Sequence, residues 1–364
     1  MDSRERTLRA VGREQPDRVP IDVWMSAGMK AKLKAERGIA FEAFLDAHDV
    51  DLRYIAGPEY IGPPLRTFPD GTDEDIWGVR RRTVRVETPG GAETYKEVAW
   101  SPLAEAETIE AVDAYAGWPS VDAFDFSVIE AQCDALHEQD RAVVFMGDRL
   151  NRLAQLKPGM YLRGVEQILV DMAVAPELAR AVFAQIRRFY LAYAERLFEA
   201  ARGKIDLLLT GDDFGSQGGP LVSEAMWLEF LEPGFRQYIE LAHAYGVRVI
   251  HHTCGGVRPL IPHLIDAGLD VLQSLQPEAE GMEPRALKRD FGDRLVFHGG
   301  LSIQRTLPFG TPDDVRAEVR DRIDALAPGG GYILCTAHNL QADVPLANVD
   351  ALLGAYRDLG AYGA

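Results

Sequence analysis

Three cysteines in 364 residues, Cys133, Cys254 and Cys335, are too few, and odd in number, for a disulfide framework. A chain this long buries roughly three quarters of its unfolded surface and needs no such staples, so any metal it bound would be functional rather than structural. No apolar run approaches the length of a bilayer span; even Ile205–Leu209 is interrupted by Asp206. The charged opening Met-Asp-Ser-Arg-Glu-Arg-Thr is not followed by an apolar stretch of signal-peptide type. Basic residues are outnumbered, 39 Lys+Arg against 56 Asp+Glu, for a formal net charge of −17. That field repels phosphate backbones and anionic lipid, so nucleic acid and membrane are poor partners. The expected setting is the cytoplasm, with reduced thiols. No Pro-, Gly- or Ser-rich linker marks a boundary, and residues 1–364 read as one domain.

What is present is an ordinary globular balance, 47% hydrophobic and 26% charged residues, with a regular rhythm. Short apolar runs recur at Ala142–Met146, Asp206–Thr210, Val247–His251, Val271–Leu275, Leu295–Phe297 and Tyr332–Leu334. Helix-period segments alternate with them at Val165–Ala201, Ser223–Tyr245, Val257–Ala267, Pro284–Phe291, Thr311–Leu326 and Leu346–Leu359. Two further runs, Val19–Trp24 and Leu52–Ala56, bring the strand count to eight. Eight βα units predict a (β/α)8 TIM barrel with an N-terminal extension. The stretch Ile76–Val98 breaks the rhythm, alternating around Pro89-Gly90-Gly91 as an antiparallel hairpin does. It reads as an insertion, a candidate flap or homodimer contact.

Chemistry concentrates where barrel strands end. Active sites of such barrels gather at the carboxyl rim, and His252 and Cys254 follow the run ending at His251, two residues apart and on one face. Cys335 follows the last predicted strand. One imidazole and two thiolates would suit zinc, with a tetrahedral position left open for a reactant. Asp212 and Asp213, after the strand ending at Thr210, are candidates to bind substrate or move a proton, although such residues also cap helices. His298 and His338 are further rim candidates for catalysis or for supporting hydrogen bonds. Cys133 falls in a helix and reads as packing.

With Pro16-Asp17-Arg18-Val19-Pro20, Gly211-Asp212-Asp213-Phe214-Gly215, His252-Thr253-Cys254-Gly255, Phe297-His298-Gly299-Gly300, Gly329-Gly330-Gly331-Tyr332-Ile333-Leu334 and His338-Asn339, the chain resembles the uroporphyrinogen decarboxylase superfamily. It is most similar to the superfamily's zinc-containing, cobalamin-linked methyltransferases. The arginine-rich R-Q-A-G-R motif of the decarboxylases is replaced here by Trp24-Met25-Ser26-Ala27-Gly28-Met29. The resemblance implies zinc on His252, Cys254 and Cys335. It also implies methyl transfer between a small O-methyl or thiol compound and a corrinoid (cobalamin) carried by a separate protein. The alternative is a metal-free decarboxylase of a small or tetrapyrrole carboxylate.

Overall fold

The computed structural model describes residues 1–147 and 152–362. Among the described residues, the strands longer than two residues are β1 Leu52–Ile55, β2 Arg80–Thr88, β3 Gly91–Trp100, β4 Ala142–Phe145, β5 Leu207–Gly211, β6 Arg248–His252, β7 Val271–Leu275, β8 Val296–Leu301 and β9 Tyr332–Thr336. Seven of them form one parallel sheet in the order β1-β4-β5-β6-β7-β8-β9. Helices cross between successive strands, giving a TIM-barrel-like α/β architecture.

The stretch Val19–Trp24, expected as the first strand, forms isolated pairs instead. Ile21 bridges to Leu334, the Asp22 amide donates to the Leu334 carbonyl at 2.9 Å, and the Leu334 amide donates to the Pro20 carbonyl at 2.8 Å. On its other side the Asp51 amide donates to the Ile21 carbonyl at 3.0 Å. The segment thus lies between β9 and the start of β1. Pro20 has no N–H to give a ladder, and the Ile21 N–H is spent on the Asp51 carboxylate at 2.9 Å.

Proline also divides the predicted helices. The segment expected as Val165–Ala201 is two helices, Val165–Val174 and Pro176–Ala201, because Pro176 disfavours helical geometry at Ala175. The segment expected as Ser223–Tyr245 likewise splits into Glu224–Phe230 and Glu232–Ala244, the second with Pro233 in its first turn. Helix Pro312–Leu326 opens with a capping box in which Thr311 and Asp314 satisfy each other's amides.

Strand parity then sorts the core. Leu52, Val144, Leu207, Leu209, Ile250, Val271, Val296 and Ile333 form an inner cluster within the sheet. Their alternates Val143, Leu208, Val249, Leu272, Phe297 and Leu334 join the larger cluster beneath the helices. β2 and β3 pair antiparallel outside this sheet, Thr88 opposite Gly91, where residues 76–98 were expected to make a hairpin.

Candidate metal centre and its cavity

The inner parity continues upward into polar side chains. Two residues beyond the apolar layer stand Tyr54, His252, Gln273, His298 and Cys335, following Leu52, Ile250, Val271, Val296 and Ile333 on the same faces. Gln273 and His298 are fully buried, and His252 is 2% exposed. Among the described residues, this polar layer and the loops above it contain two groups that could hold a metal ion.

The first group is His252, Cys254 and His338. His252 Nδ1 lies 2.5 Å from Gln273 Oε1, so the ring donates there and turns its Nε2 outward. Cys254 Sγ is 3.5 Å from that Nε2. His338 comes from two residues beyond β9, its ring edge-on to that of His252 at 5.4 Å. Burial, with Asp213 beside it, pushes the Cys254 thiol up to about 12. Burial, reinforced by His252, pulls His338 down to about 4 and so keeps it neutral.

Cys335 is not in that group; it gathers with Asp22 and His298. The expected trio of His252, Cys254 and Cys335 is therefore not the trio the fold brings together. β9 runs through Thr336, two residues past its predicted end at Leu334, so Cys335 sits opposite Gly300 within the sheet and joins the inner cluster. His298 is displaced inward for the same reason. Its strand extends to Leu301, leaving the imidazole fully buried with Nε2 3.0 Å from Asp22 Oδ2. Asp22 Oδ2 also accepts from Tyr54 OH at 2.5 Å and Trp24 Nε1 at 2.9 Å. Trp24 stands between the two groups, its ring 6.0 Å from that of His252 and 6.2 Å from that of His298.

The two aspartates part company. Asp212, 2% exposed, accepts from the amides of Gln155, Leu156 and Lys157 at 2.5, 3.0 and 2.7 Å. It fixes the start of helix Leu156–Arg163, and both its oxygens are used by backbone. Asp213 faces the metal group. Its Oδ1 lies 3.5 Å from His252 Nε2 and accepts from the Cys254 amide at 3.0 Å, while Oδ2 pairs with Lys157 Nζ at 2.6 Å. Burial opposes its charge, yet His252 and Lys157 together hold the carboxyl far below the usual range. His251, which points the other way, is a core histidine between Phe214 and Phe235 with Nδ1 on Thr210 Oγ1 at 2.8 Å. Cys133 is fully buried in helix Ile129–His137.

A cavity of about 270 Å³ opens on His252 and His338, lined also by Tyr95, Lys157, Tyr161 and Asn339.

The uroporphyrinogen decarboxylase family model matches residues 128–359, more than half of the chain and all of the group His252, Cys254 and His338. The chain belongs to the uroporphyrinogen decarboxylase family. Among solved structures, a methyltransferase from Methanosarcina mazei superposes with a TM-score of 0.70 at 17% identity, covering 98% of this chain and 99% of that one. That likeness shows the fold over the whole length. Sugar epimerases overlap only partly: D-psicose 3-epimerase from Clostridium cellulolyticum H10 has a TM-score of 0.38 at 11% identity, covering 69% of this chain and 85% of its own. A 3-keto-D-glucoside 4-epimerase from E. coli has 0.36 at 13% identity, covering 63% and 94%. No curated protein matches the chain by sequence.

Within this uroporphyrinogen decarboxylase family member, several site residues carried no sequence signal of their own. Gln273 and Tyr54 could be found only by extending strand parity two residues past the apolar layer. Lys157 starts a helix that no strand pattern announces, and Tyr95 arrives on the hairpin. No helix among the described residues is long and apolar enough to cross a membrane.

Proposed function

We propose that this chain is a zinc-dependent methyltransferase moving a methyl group between a small substrate, an O-methyl compound or a thiol, and a corrinoid held on a separate protein. The observation that carries the reading is the donor set at the rim. Zinc bonds of about 2.0 Å to nitrogen and 2.3 Å to sulfur place tetrahedral N and S ligands about 3.5 Å apart, and His252 Nε2 and Cys254 Sγ are 3.5 Å apart. His338 supplies the third donor, and three protein ligands leave one position for a reactant. Bound there, the ion would polarise a substrate oxygen or hold a substrate thiol as thiolate. The protein's own part is positional. Gln273 fixes the His252 tautomer, Asp213 holds the Cys254 amide, and Lys157 neutralises Asp213. A whole-length structural neighbour that is itself a methyltransferase supports the assignment.

Metal analysis tests it. The native chain should carry about one zinc; His338→Ala and Cys254→Ser should lose it, whereas Cys335→Ser should retain it. A native protein without stoichiometric metal, its Cys254 open to alkylation, overturns the reading. The family's name keeps decarboxylation as the second reading. The segment Trp24–Met29, which caps and begins helix Ala27–Arg37, offers no arginine to hold a carboxylate. Release of carbon dioxide without any corrinoid would favour that second reading.

A further inference from the structure

We infer that the β2–β3 hairpin is a wall of the metal-site cavity that admits reactants by size, with Tyr95 the specificity-determining residue and Glu93 the residue that positions it. Glu93 is only 3% exposed although it sits on a two-stranded ribbon. Its Oε1 accepts from Ser26 Oγ at 2.5 Å and from the Ala342 amide at 2.8 Å, and its Oε2 from the Gly28 amide at 3.4 Å. Those donors leave the ring at two adjoining places, after Val19–Trp24 and after β9, so one carboxylate ties the ribbon to both. The approach is tight. A Cβ on Gly28 would lie 2.4 Å from the Ala92 carbonyl oxygen, and one on Gly90 would lie 2.0 Å from that of Ala342. Neither position has room for a side chain.

Two residues from Glu93 along an extended strand, Tyr95 projects to the same side. Its hydroxyl accepts from Gln341 Nε2 at 2.7 Å, and its ring lines the cavity that contains His252 and His338. A ribbon serving only as a surface ornament would leave its carboxylate in water, because burying one without partners is costly. Here three neutral donors are arranged to receive it. The arrangement concerns access to the cavity and holds whichever reaction the site performs.

Cys254, whose Sγ lies 3.5 Å from Nε2 of the cavity-lining His252, serves as the reporter, since Cys133 and Cys335 are buried at 0% and 1% exposure. In chelator-treated protein at alkaline pH, Cys254 is alkylated with iodoacetamide and, separately, with a bulky fluorescein maleimide, and the labelled residue is confirmed by mass spectrometry. Tyr95→Ala should raise the maleimide rate roughly tenfold while leaving the iodoacetamide rate nearly unchanged; Glu93→Ala should raise both, roughly tenfold, by opening the ribbon. Ser26→Ala, which removes one of the three donors together with the N-cap of helix Ala27–Arg37, should shift both rates the same way by less. An unchanged ratio of the two rates in Tyr95→Ala, or wild-type rates in Glu93→Ala and Ser26→Ala proteins that melt cooperatively, overturns the inference. Zinc is counted on the same preparations. The labelling pattern without bound zinc would support the wall and sink only the methyl-transfer reading.

Discussion

Cys254 carries the proton that a metal bound at the proposed site would displace. Its thiol is pushed up to about 12 by burial and Asp213, while His338 is held down to about 4 and stays an open donor. Loading the site therefore releases the Cys254 proton throughout the neutral range. Apparent zinc affinity should climb about tenfold per pH unit across the neutral range, as read by competition with a chromogenic chelator; a flat profile would exclude Cys254 as a ligand. Asp212 answers to a different measurement. Replacing it with Ala strands three amides at the start of helix Leu156–Arg163 and should cost about 2–3 kcal/mol in urea unfolding, with zinc content unchanged. His252 and Cys254 were legible because Val247–His251 is an apolar run of the right length, and the pair lies at its end. Cys335 groups with Asp22 and His298 because β9 continues two residues past Leu334. That continuation depends on pairing with β8, which local propensity does not report. His338 joins His252 and Cys254 through the same two residues.

Among elements, the informative junction is Asp51. Its carboxylate is fully buried and receives Arg6 Nη1 at 2.7 Å, Arg18 Nη1 at 2.7 Å and the Ile21 amide at 2.9 Å. Helix Ser3–Val11, the bridging segment and β1 thus meet on one residue. Asp51→Ala would remove the shared buried carboxylate while leaving Arg6 on Asp17 and Arg18 on Asp49, and about 1–3 kcal/mol should be lost on denaturant unfolding. A loss within a few tenths of a kcal/mol of zero would show that the bridging segment is held by its backbone pairs alone. Helix and strand existence was legible throughout the β4–β9 half, where apolar runs and amphipathic segments alternate cleanly. Helix boundaries were not, because Pro176 and Pro233 were read as interior residues when each restarts a helix. The hairpin's alternation showed that a ribbon exists near residues 76–98. What it touches was beyond reach, since the contacts of Glu93 lie 65 to 249 residues away in sequence.

For the whole molecule, the buried titratable groups set the response to acid. His251 is lowered from an ordinary 6.5 to about 3 and His338 to about 4, both chiefly by burial. Between about pH 4 and 6.5 the unfolded chain therefore binds protons on these imidazoles that the folded chain refuses. Stability from them rises with pH across that window, is complete above it, and is lost as pH falls. Asp212 works against them, since burial raises it from 3.8 to about 6, so that between those values the folded state keeps a proton the unfolded chain has released. Each imidazole adds about 1.4 kcal/mol per pH unit to that slope and Asp212 removes as much, in chelator-treated protein. His251 is the member to remove, because its ring packs between Phe214 and Phe235 and takes no part in the metal group. His251→Asn should reduce the slope of unfolding free energy between pH 4 and 6 by about 1.4 kcal/mol per pH unit relative to the native chain. The same slope in both proteins would mean that the imidazole is protonated inside the fold, and the neutral core around β5 and β6 would have to be abandoned.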